Sequence, residues 1–410
     1  MSHTGNVVMK KLGLLAFAVC VGWAVSASAD EAVSIRLGAA VSLSGKYSSN
    51  GVYTRNGYDL AVARINERGG VKVGDKTYKL EVVYYDDEST PARGAQLAER
   101  LIQQDGVKFL LGPYSSGLTE AMAPVTEKYG VPMVEANGAA VSLFQKGYKY
   151  LFAVLTTTDQ YLKGAVEVAA ARSDDPTKLK VAMAFENDPF SQDVRAGVTA
   201  DAKRFGMKIV IDDKLPPDLN DMSATLTKVK LLKPDLLIVS GHEKGAATAV
   251  RQMADQRVNV PMVAMTHCDS ARIAETLGKS AEYVLCAAQW APSLSYSDDL
   301  FGSASDYAAL YEKTYNETAP YQAAESSAAV QVFADAFTRA GTLDPKAVRD
   351  ALATTDIQSF YGPVRIDETG KNAGKPTILF QVQDGKYVVV YPEKWAEAKL
   401  RAPIPTWDKR

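Results

Sequence analysis

The sequence predicts an α/β protein built from two successive parallel-sheet units, and three observations carry that expectation. Short apolar runs rich in Val, Ile and Leu alternate with amphipathic stretches of helical period along most of the chain. Those runs are nearly continuous rather than alternating apolar and polar, as strands covered on both faces are. The length, 410 residues, exceeds what one domain of about 100–200 residues holds.

Composition narrows the class. Hydrophobic residues make up 47% and charged residues 23%, which suits globular domains with real cores and excludes disordered, collagenous and disulfide-scaffold chains. Basic and acidic residues nearly balance, 46 against 48, so no basic field is offered to nucleic acid. Three His and three Cys leave little material for a metal cluster.

The first 29 residues read as an address. Lys10 and Lys11 precede an apolar run over 12–25, and Ala27-Ser28-Ala29 follows. That is a secretory signal peptide cleaved after Ala29, because the run is shorter than the ~20 residues a membrane span needs. Met9 heads the strongest part of the pattern, so Met1 and Met9 are both candidate starts. Cys20 leaves with the signal. With Lys10 and Lys11 removed, the net charge of −2 becomes −4, and Cys268 and Cys286 remain. In an oxidising compartment such a pair either bridges or stays as two buried thiols, and spacing leaves both open.

Taken in order, the first unit reads as a strand over 35–43, a helix over 53–68 closed by Gly69-Gly70, a strand over 78–85 and a helix over 91–104. A strand over 107–111, a helix over 118–129 and a strand over 131–135 complete it. The grammar restarts after 152–155, with strands over 179–185, 208–211, 235–239, 260–265 and 282–287 separated by helices over 193–205, 222–232 and 244–256. Helices over 303–315, 323–340 and 345–353 follow, then β-like segments around 364–366 and 378–388.

Catalytic patterns are missing from the sequence. There is no G-x-S-x-G elbow, no P-loop and no H-E-x-x-H, and no G-x-G-x-x-G follows the first strand. The cluster Asp86-Asp87-Glu88 reads as a loop capping the helix after Pro91, and His242, His267, Cys268 and Asp269 lack metal-ligand spacing. No enzyme, metal or cofactor is expected. What remains is loops at strand ends, where open parallel sheets bind ligands. Residues 44–50 follow the first strand; Tyr114-Ser115-Ser116-Gly117 and Asn137-Gly138-Ala139-Ala140 each join a strand to a helix. Serine hydroxyls, free backbone N–H groups and helix dipoles there suit a carboxylate or phosphate.

The segments IRLGAAVSLSG, YDLAVARINERGGV, YYDDESTPARGAQLAERLI, LLGPYSSGLTEAMAPV, YGVPMVEANGAA, NDPFSQDV, KPDLLIVSGH and YGPVRIDETGKN run in the order of one family. The chain resembles the leucine/isoleucine/valine-binding family of periplasmic solute-binding proteins, the capture components of ABC importers. The resemblance implies the type I periplasmic binding protein fold: two Rossmann-like lobes joined by three crossover strands, with ligand in the cleft. It places the crossovers near 152–156, 287–292 and 361–366. One lobe then combines 30–154 with 293–361, and the other 155–292 with 362–410.

Residue by residue, the resemblance implies a carboxylate clamp at Ser116 with Ser115 beside it, and backbone partners at Asn137, Gly138 and Ala139. It adds Asn50 and Tyr47 from the first loop, and Phe190 and His242 from the second lobe. The family's amino-acid binders carry an acidic residue after the strand corresponding to VPMVAM, to hold the ligand ammonium. Here Thr266 and His267 stand there, with Asp269 the nearest carboxylate in sequence. The family's first-lobe disulfide has no cysteines to form it. The expected ligand is a small carboxylate, a hydrophobic or branched-chain amino acid, with an amine-free aromatic or branched organic acid as the alternative. A short amide or urea-like solute, or a role as exported sensor, stands further off. The implied partners are membrane permease and ATPase subunits, with the binding protein itself a periplasmic monomer and no nucleic acid involved.

Overall fold

The structure is a computed structural model that describes residues 34–410. The signal-peptide reading, with its cleavage after Ala29 and the loss of Cys20, lies outside the described residues.

The first sheet is assembled from β1 (Ser34–Val41), β2 (Val71–Val73), β3 (Lys76–Asp86), β4 (Leu110–Leu111), β5 (Met133–Glu135) and β6 (Leu151–Ala153), with α1 (Ser48–Glu67), α2 (Pro91–Gln103) and α3 (Ser116–Tyr129) between them. Its order is β2-β3-β1-β4-β5-β6, parallel except for the β2–β3 hairpin. Gly38 of β1 pairs with Val83 of β3 on one side and Leu110 of β4 on the other. The strand order therefore reverses at β1, and the crevice beyond the carboxyl ends of β1 and β4 is the switch point where such sheets bind ligands.

The second sheet repeats the plan. Helix α4 (Lys163–Ala171) leads into β7 (Lys180–Glu186), α5 (Pro189–Arg204), β8 (Lys208–Leu215), α6 (Ser223–Leu232), β9 (Leu236–Ser240), α7 (Glu243–Asp255), β10 (Met262–Thr266), α8 (Ile273–Leu277) and β11 (Leu285–Ala288). The chain then leaves this sheet through two short strands, β12 (Ser297–Asp298) and β13 (Gly302–Ser303), and α9 (Ala304–Tyr315). Helix α10 (Tyr321–Ala340) packs on α1 and is followed by α11 (Pro345–Leu352). The hairpin β14 (Asp356–Ser359) and β15 (Gly362–Arg365) brings it back to β16 (Ile378–Gln383) and β17 (Lys386–Tyr391). The second sheet has the order β17-β16-β11-β10-β9-β7-β8, with β16 and β17 antiparallel to their neighbours. Its order reverses at β7, between β8 and β9.

Several expectations change in detail. The β-like segment over 378–388 is a hairpin, turned at Asp384-Gly385 where both residues have positive φ. Helix α4 (KGAVEVAAA) escaped the sequence reading because its small residues give little amphipathic contrast. The helix expected from 193 starts at Pro189, where Asp188 accepts the Ser191 N–H. The acidic cluster does not cap α2, whose N-cap Thr90 makes no side-chain cap bond. Instead Asp86 accepts the N–H groups of Leu43, Ser44 and Glu88, and Asp87 accepts the Ser42 hydroxyl at 2.6 Å. These bonds fix the loop between β1 and α1. Among the described residues no helix is long and apolar enough to cross a membrane.

Cys268 and Cys286 are disulfide-bonded, with Cα atoms 5.7 Å apart. Cys286 lies on β11 opposite Met265 of β10, and Cys268 sits three residues past it, just beyond the strand end. The bridge therefore ties two adjacent parallel strands where the sequence left bridge and free thiols equally open.

Candidate functional site

The switch points of the two sheets face each other, and the candidate residues gather between them. From the first sheet come the N-termini of α1, behind Tyr47, and of α3, behind Ser115. From the second come those of α5, behind Asp188, and α7, behind His242. The Tyr114 hydroxyl lies 3.0 Å from His242 Nδ1. Tyr47 stands 4.8 Å from the His242 ring and 5.5 Å from Tyr114, centroid to centroid. Phe190 and His267 complete the cluster, 5.0 Å from each other, and Tyr161 closes on Phe190 at 5.2 Å. The result is an aromatic cluster with ring edges and faces in contact, bordered by helix N-termini that favour negative charge.

The serine loop is arranged for an acceptor ligand. Ser115 is the N-cap of α3, yet its hydroxyl makes no cap bond. Ser116 Oγ accepts the Ala140 N–H at 3.0 Å, so its own hydrogen is left to donate elsewhere. Beneath the next loop lies Glu135, which sequence reasoning missed. Its Oε1 accepts the N–H groups of Ala136, Asn137 and Gly138, at 3.0, 2.7 and 2.7 Å, and its Oε2 accepts the Thr119 hydroxyl. A Cβ on Gly138 would meet Thr119 Oγ1 at 2.2 Å, so only glycine lets the loop wrap this carboxylate. Consequently the backbone donors of Asn137 and Gly138, expected to face a ligand, are spent on the scaffold. The Ala139 carbonyl accepts the Thr158 N–H, while the Ala139 N–H is not among the donors that Glu135 takes. Among the described residues neither the buried Oδ1 of Asn137 nor that of Asn50 on α1 has a partner.

On the opposite side, Thr266 is consumed by structure. Its Oγ1 donates to the Gly241 carbonyl at 2.8 Å and accepts the Gly241 N–H at 3.1 Å, fixing the turn that carries His242. His267, with φ 56°, places Nδ1 2.8 Å from the same carbonyl. A carbonyl only accepts, so Nδ1 carries the proton and Nε2 is an acceptor. Burial, with the positive field of His242, pushes His267 down to about 3 and keeps it neutral.

His242 behaves oppositely. Burial opposes its charge, but the Asp188 carboxylate 3.8 Å from Nε2 and the nearby Glu186 outweigh that and raise its pKa. Asp188 is held low, against its own burial, by His242 and by the Ser191 donors. Glu186 is buried at the end of β7 with Oε2 unpartnered, and burial pushes it up to about 7. Glu186, Asp188 and His242 bring one ligand-type atom each within 4.8 Å of one another. The sequence signal for this group was the pair of acids in FENDPF, directly after a strand.

A cavity of about 350 Å³ between the lobes is lined by Tyr53, Asp269, Trp290, Tyr321, Phe380 and Tyr387. Burial pushes Asp269, with one oxygen unpartnered, up to about 7. The nearest carboxylate in sequence therefore belongs to this cavity, while in space His242 finds Asp188.

Comparison with known proteins agrees with this architecture. A family model described as periplasmic binding protein matches residues 34–386. The chain is 25% identical over 411 residues to Leu/Ile/Val-binding protein homolog 7 of Brucella suis biovar 1, covering 96% of this chain and 99% of that one. In fold it is similar to the branched-chain amino acid transporter substrate binding protein LivJ from Streptococcus pneumoniae, solved with isoleucine, at TM-score 0.77 and 23% identity over 90% of this chain and all of the other. It is also similar, at TM-score 0.73 and 19% identity over 90% of this chain and 100% of the other, to an ABC transporter solute binding protein from R. palustris in complex with benzoate. The chain belongs to the periplasmic binding protein family.

Proposed function

We propose that this periplasmic binding protein captures a small carboxylate solute for an ABC importer, by closure of two lobes around it. The observation that carries the reading is the Ser116 hydroxyl: its acceptor side is filled by the Ala140 N–H, so its hydrogen is free to donate. It stands at the start of α3, where the helix dipole adds to its pull on an anion. In this reading one lobe joins 30–154 to 293–361 and the other joins 155–292 to 362–410. The ligand reaches the periplasmic protein after removal of residues 1–29, and the loaded form docks on permease subunits driven by ATPase subunits.

The body of the ligand is apolar or aromatic. Supporting this is the wall of Tyr47, Tyr114, Phe190 and His267 rings, with His267 neutral and Thr266 already bonded to its own chain. A buried ammonium needs a carboxylate partner; beside this wall Asp188 is engaged by His242 and burial pushes Glu186 up to about 7, so an amine-free acid suits it best. The relatives support both kinds of ligand, since one was solved with isoleucine and another with benzoate. The amino-acid reading draws on Asp269, whose unpartnered oxygen is available to an ammonium reaching the inter-lobe cavity.

A thermal-shift screen of the exported protein tests this. Amino acids, aromatic acids and branched aliphatic acids are compared, since a ligand that binds only the folded state raises the melting temperature. Shifts with amine-free acids support the reading. Shifts confined to amino acids move it to Asp269, and shifts with amides alone overturn the carboxylate.

A further inference from the structure

The loop that follows β10 carries part of the aromatic wall and part of the cavity wall together. His267 packs its ring 5.0 Å from Phe190 and 5.2 Å from His242, centroid to centroid, while Asp269, Ser270 and Arg272 line the inter-lobe cavity. Its backbone bonds close within the loop: the Ala271 N–H donates to the His267 carbonyl, the Arg272 N–H to that of Asp269 and the Ile273 N–H to that of Cys268. Such bonds shape the loop but do not fix where it sits against the sheet. Ties leading outward do that. The Tyr387 hydroxyl of β17 donates to the Cys268 carbonyl at 2.9 Å, His267 Nδ1 donates to the Gly241 carbonyl at 2.8 Å, and Cys268 is bonded to Cys286 of β11.

The covalent tie stands next to the turn. Thr266, the last residue of β10, pairs with Ala287 of β11. His267 then takes φ 56°, and the Cys268 Cα comes to lie 5.7 Å from that of Cys286, the residue opposite Met265. A disulfide confines its two Cα atoms to a narrow range of separations. His267 is therefore one residue strung between two fixed neighbours. A side chain other than glycine's rarely adopts the left-handed region, and persists there where its surroundings hold it. The Nδ1 bond orients the ring; the fixed ends on either side set the backbone that carries it.

We propose that the Cys268–Cys286 bridge is a positioning element for solute binding: it holds His267 in the conformation that sets its ring against Phe190 and His242, and so governs affinity as well as stability. This rests on the reading of that aromatic wall as the solute's. Both cysteines are buried and act through His267. Opening the bridge frees the backbone at His267, the ring leaves its buried seat, and the wall facing the solute's apolar body loses a member. The freed ring also titrates differently. In its seat, burial and the positive field of His242 outweigh the Gly241 bond and the Asp188 charge and hold it down to about 3; an imidazole in water titrates near about 6.5.

The test is calorimetric titration with benzoate, phenylacetate and 4-methylpentanoate of four forms of the exported protein: wild type, Cys268→Ala with Cys286→Ala, His267→Gly, and the three substitutions together. Glycine adopts the His267 backbone freely, so His267→Gly removes the ring alone. The bridge-free and ring-free proteins are each expected to bind the best acid about tenfold more weakly than the wild type. The triple variant should bind no more weakly than either, because bridge and ring act as one. Phe333→Leu, which loosens the core contact with Phe109, is expected to lower stability and leave affinity as in the wild type. Nuclear magnetic resonance of the His267 imidazole gives a reading that needs no ligand: it should be silent between about pH 5 and 8 in the wild type and titrate near about 6.5 without the bridge. Wild-type affinity in the bridge-free protein, losses that add in the triple variant, an equal loss in Phe333→Leu, or a His267 signal unmoved by removing the bridge overturns the inference and leaves the carboxylate site standing. If no acid binds, the carboxylate reading falls, and the His267 signal alone decides the positioning. Where the bridge-free protein does not fold, wild-type affinity in His267→Gly overturns the inference.

Discussion

The Tyr114 hydroxyl and His242 Nδ1 meet at 3.0 Å across the cleft, joining the β4–α3 loop of one sheet to the β9–α7 loop of the other. Both residues are buried there, so the bond exists only when the lobes are together. It is a latch whose strength adds to that of any ligand holding the same state.

Tyr114→Phe keeps the ring packing and removes the latch. Ligand affinity should fall by the net value of one hydrogen bond, about 0.5–1.5 kcal/mol, or roughly two- to tenfold. Calorimetric titration of variant and wild type measures it, and equal affinities would mean that closure does not use this bond.

The pair also shows what the sequence made legible. Tyr114, Ser115 and Ser116 were visible as a strand-to-helix loop, and Asn137 as a member of a similar one, because strand and helix periods set where such loops fall; Phe190 came only from the family resemblance of NDPFS. Glu135 was read only as the end of a strand. Its role under the Asn137-Gly138 turn depends on Thr119, sixteen residues away, and on a fold that brings them together. Thr266 was legible in place but not in use, since its bonds to Gly241 join two neighbouring strands' ends.

Glu186 gives the fold a pH dependence of known sign. Burial, reinforced by Asp188 and opposed by His242, pushes its carboxyl from 4.5 to about 7. A carboxyl whose folded pKa is raised favours the folded state fully below its unfolded value, and that contribution is lost as pH climbs through about 7. Glu186→Gln cannot ionise. The variant should therefore gain on the wild type by about 3 kcal/mol between pH 4 and 8. Thermal melts across that range check it, and a difference that stays constant with pH contradicts the raised carboxyl.

Thr156, Gln289, Tyr361 and Lys375 meet in one buried network. Gln289 Nε2 donates to the Thr156 carbonyl at 2.7 Å, and Lys375 Nζ donates to the carbonyls of Gln289 and Tyr361 at 2.5 and 3.1 Å. The Tyr361 hydroxyl donates to Glu325 Oε2 at 3.2 Å. Lys375→Met leaves the buried Gln289 and Tyr361 carbonyls without their donor and should cost about 1–3 kcal/mol of stability. Adding Glu325→Gln should recover part of that loss. Chemical denaturation of the two variants measures both, and a single variant as stable as the wild type would remove the network from the account.

The Cys268–Cys286 bridge spans 18 residues of sequence. Opening a loop of that size typically costs about 2–4 kcal/mol. Cys268→Ser with Cys286→Ser should lose stability in that range, and a thiol assay on denatured, exported wild-type protein should find no free thiol from this pair. Two free thiols would contradict the bridge.

In the proposed function a carboxylate seats on the Ser116 hydroxyl, and titration of Ser116→Ala with the best-binding acid decides it. One charge-assisted hydrogen bond, about 1.5–3 kcal/mol, is lost, so affinity should drop roughly ten- to hundredfold while far-ultraviolet circular dichroism shows the protein still folded. A folded Ser116→Ala protein that binds the same acid as tightly as the wild type would contradict the account.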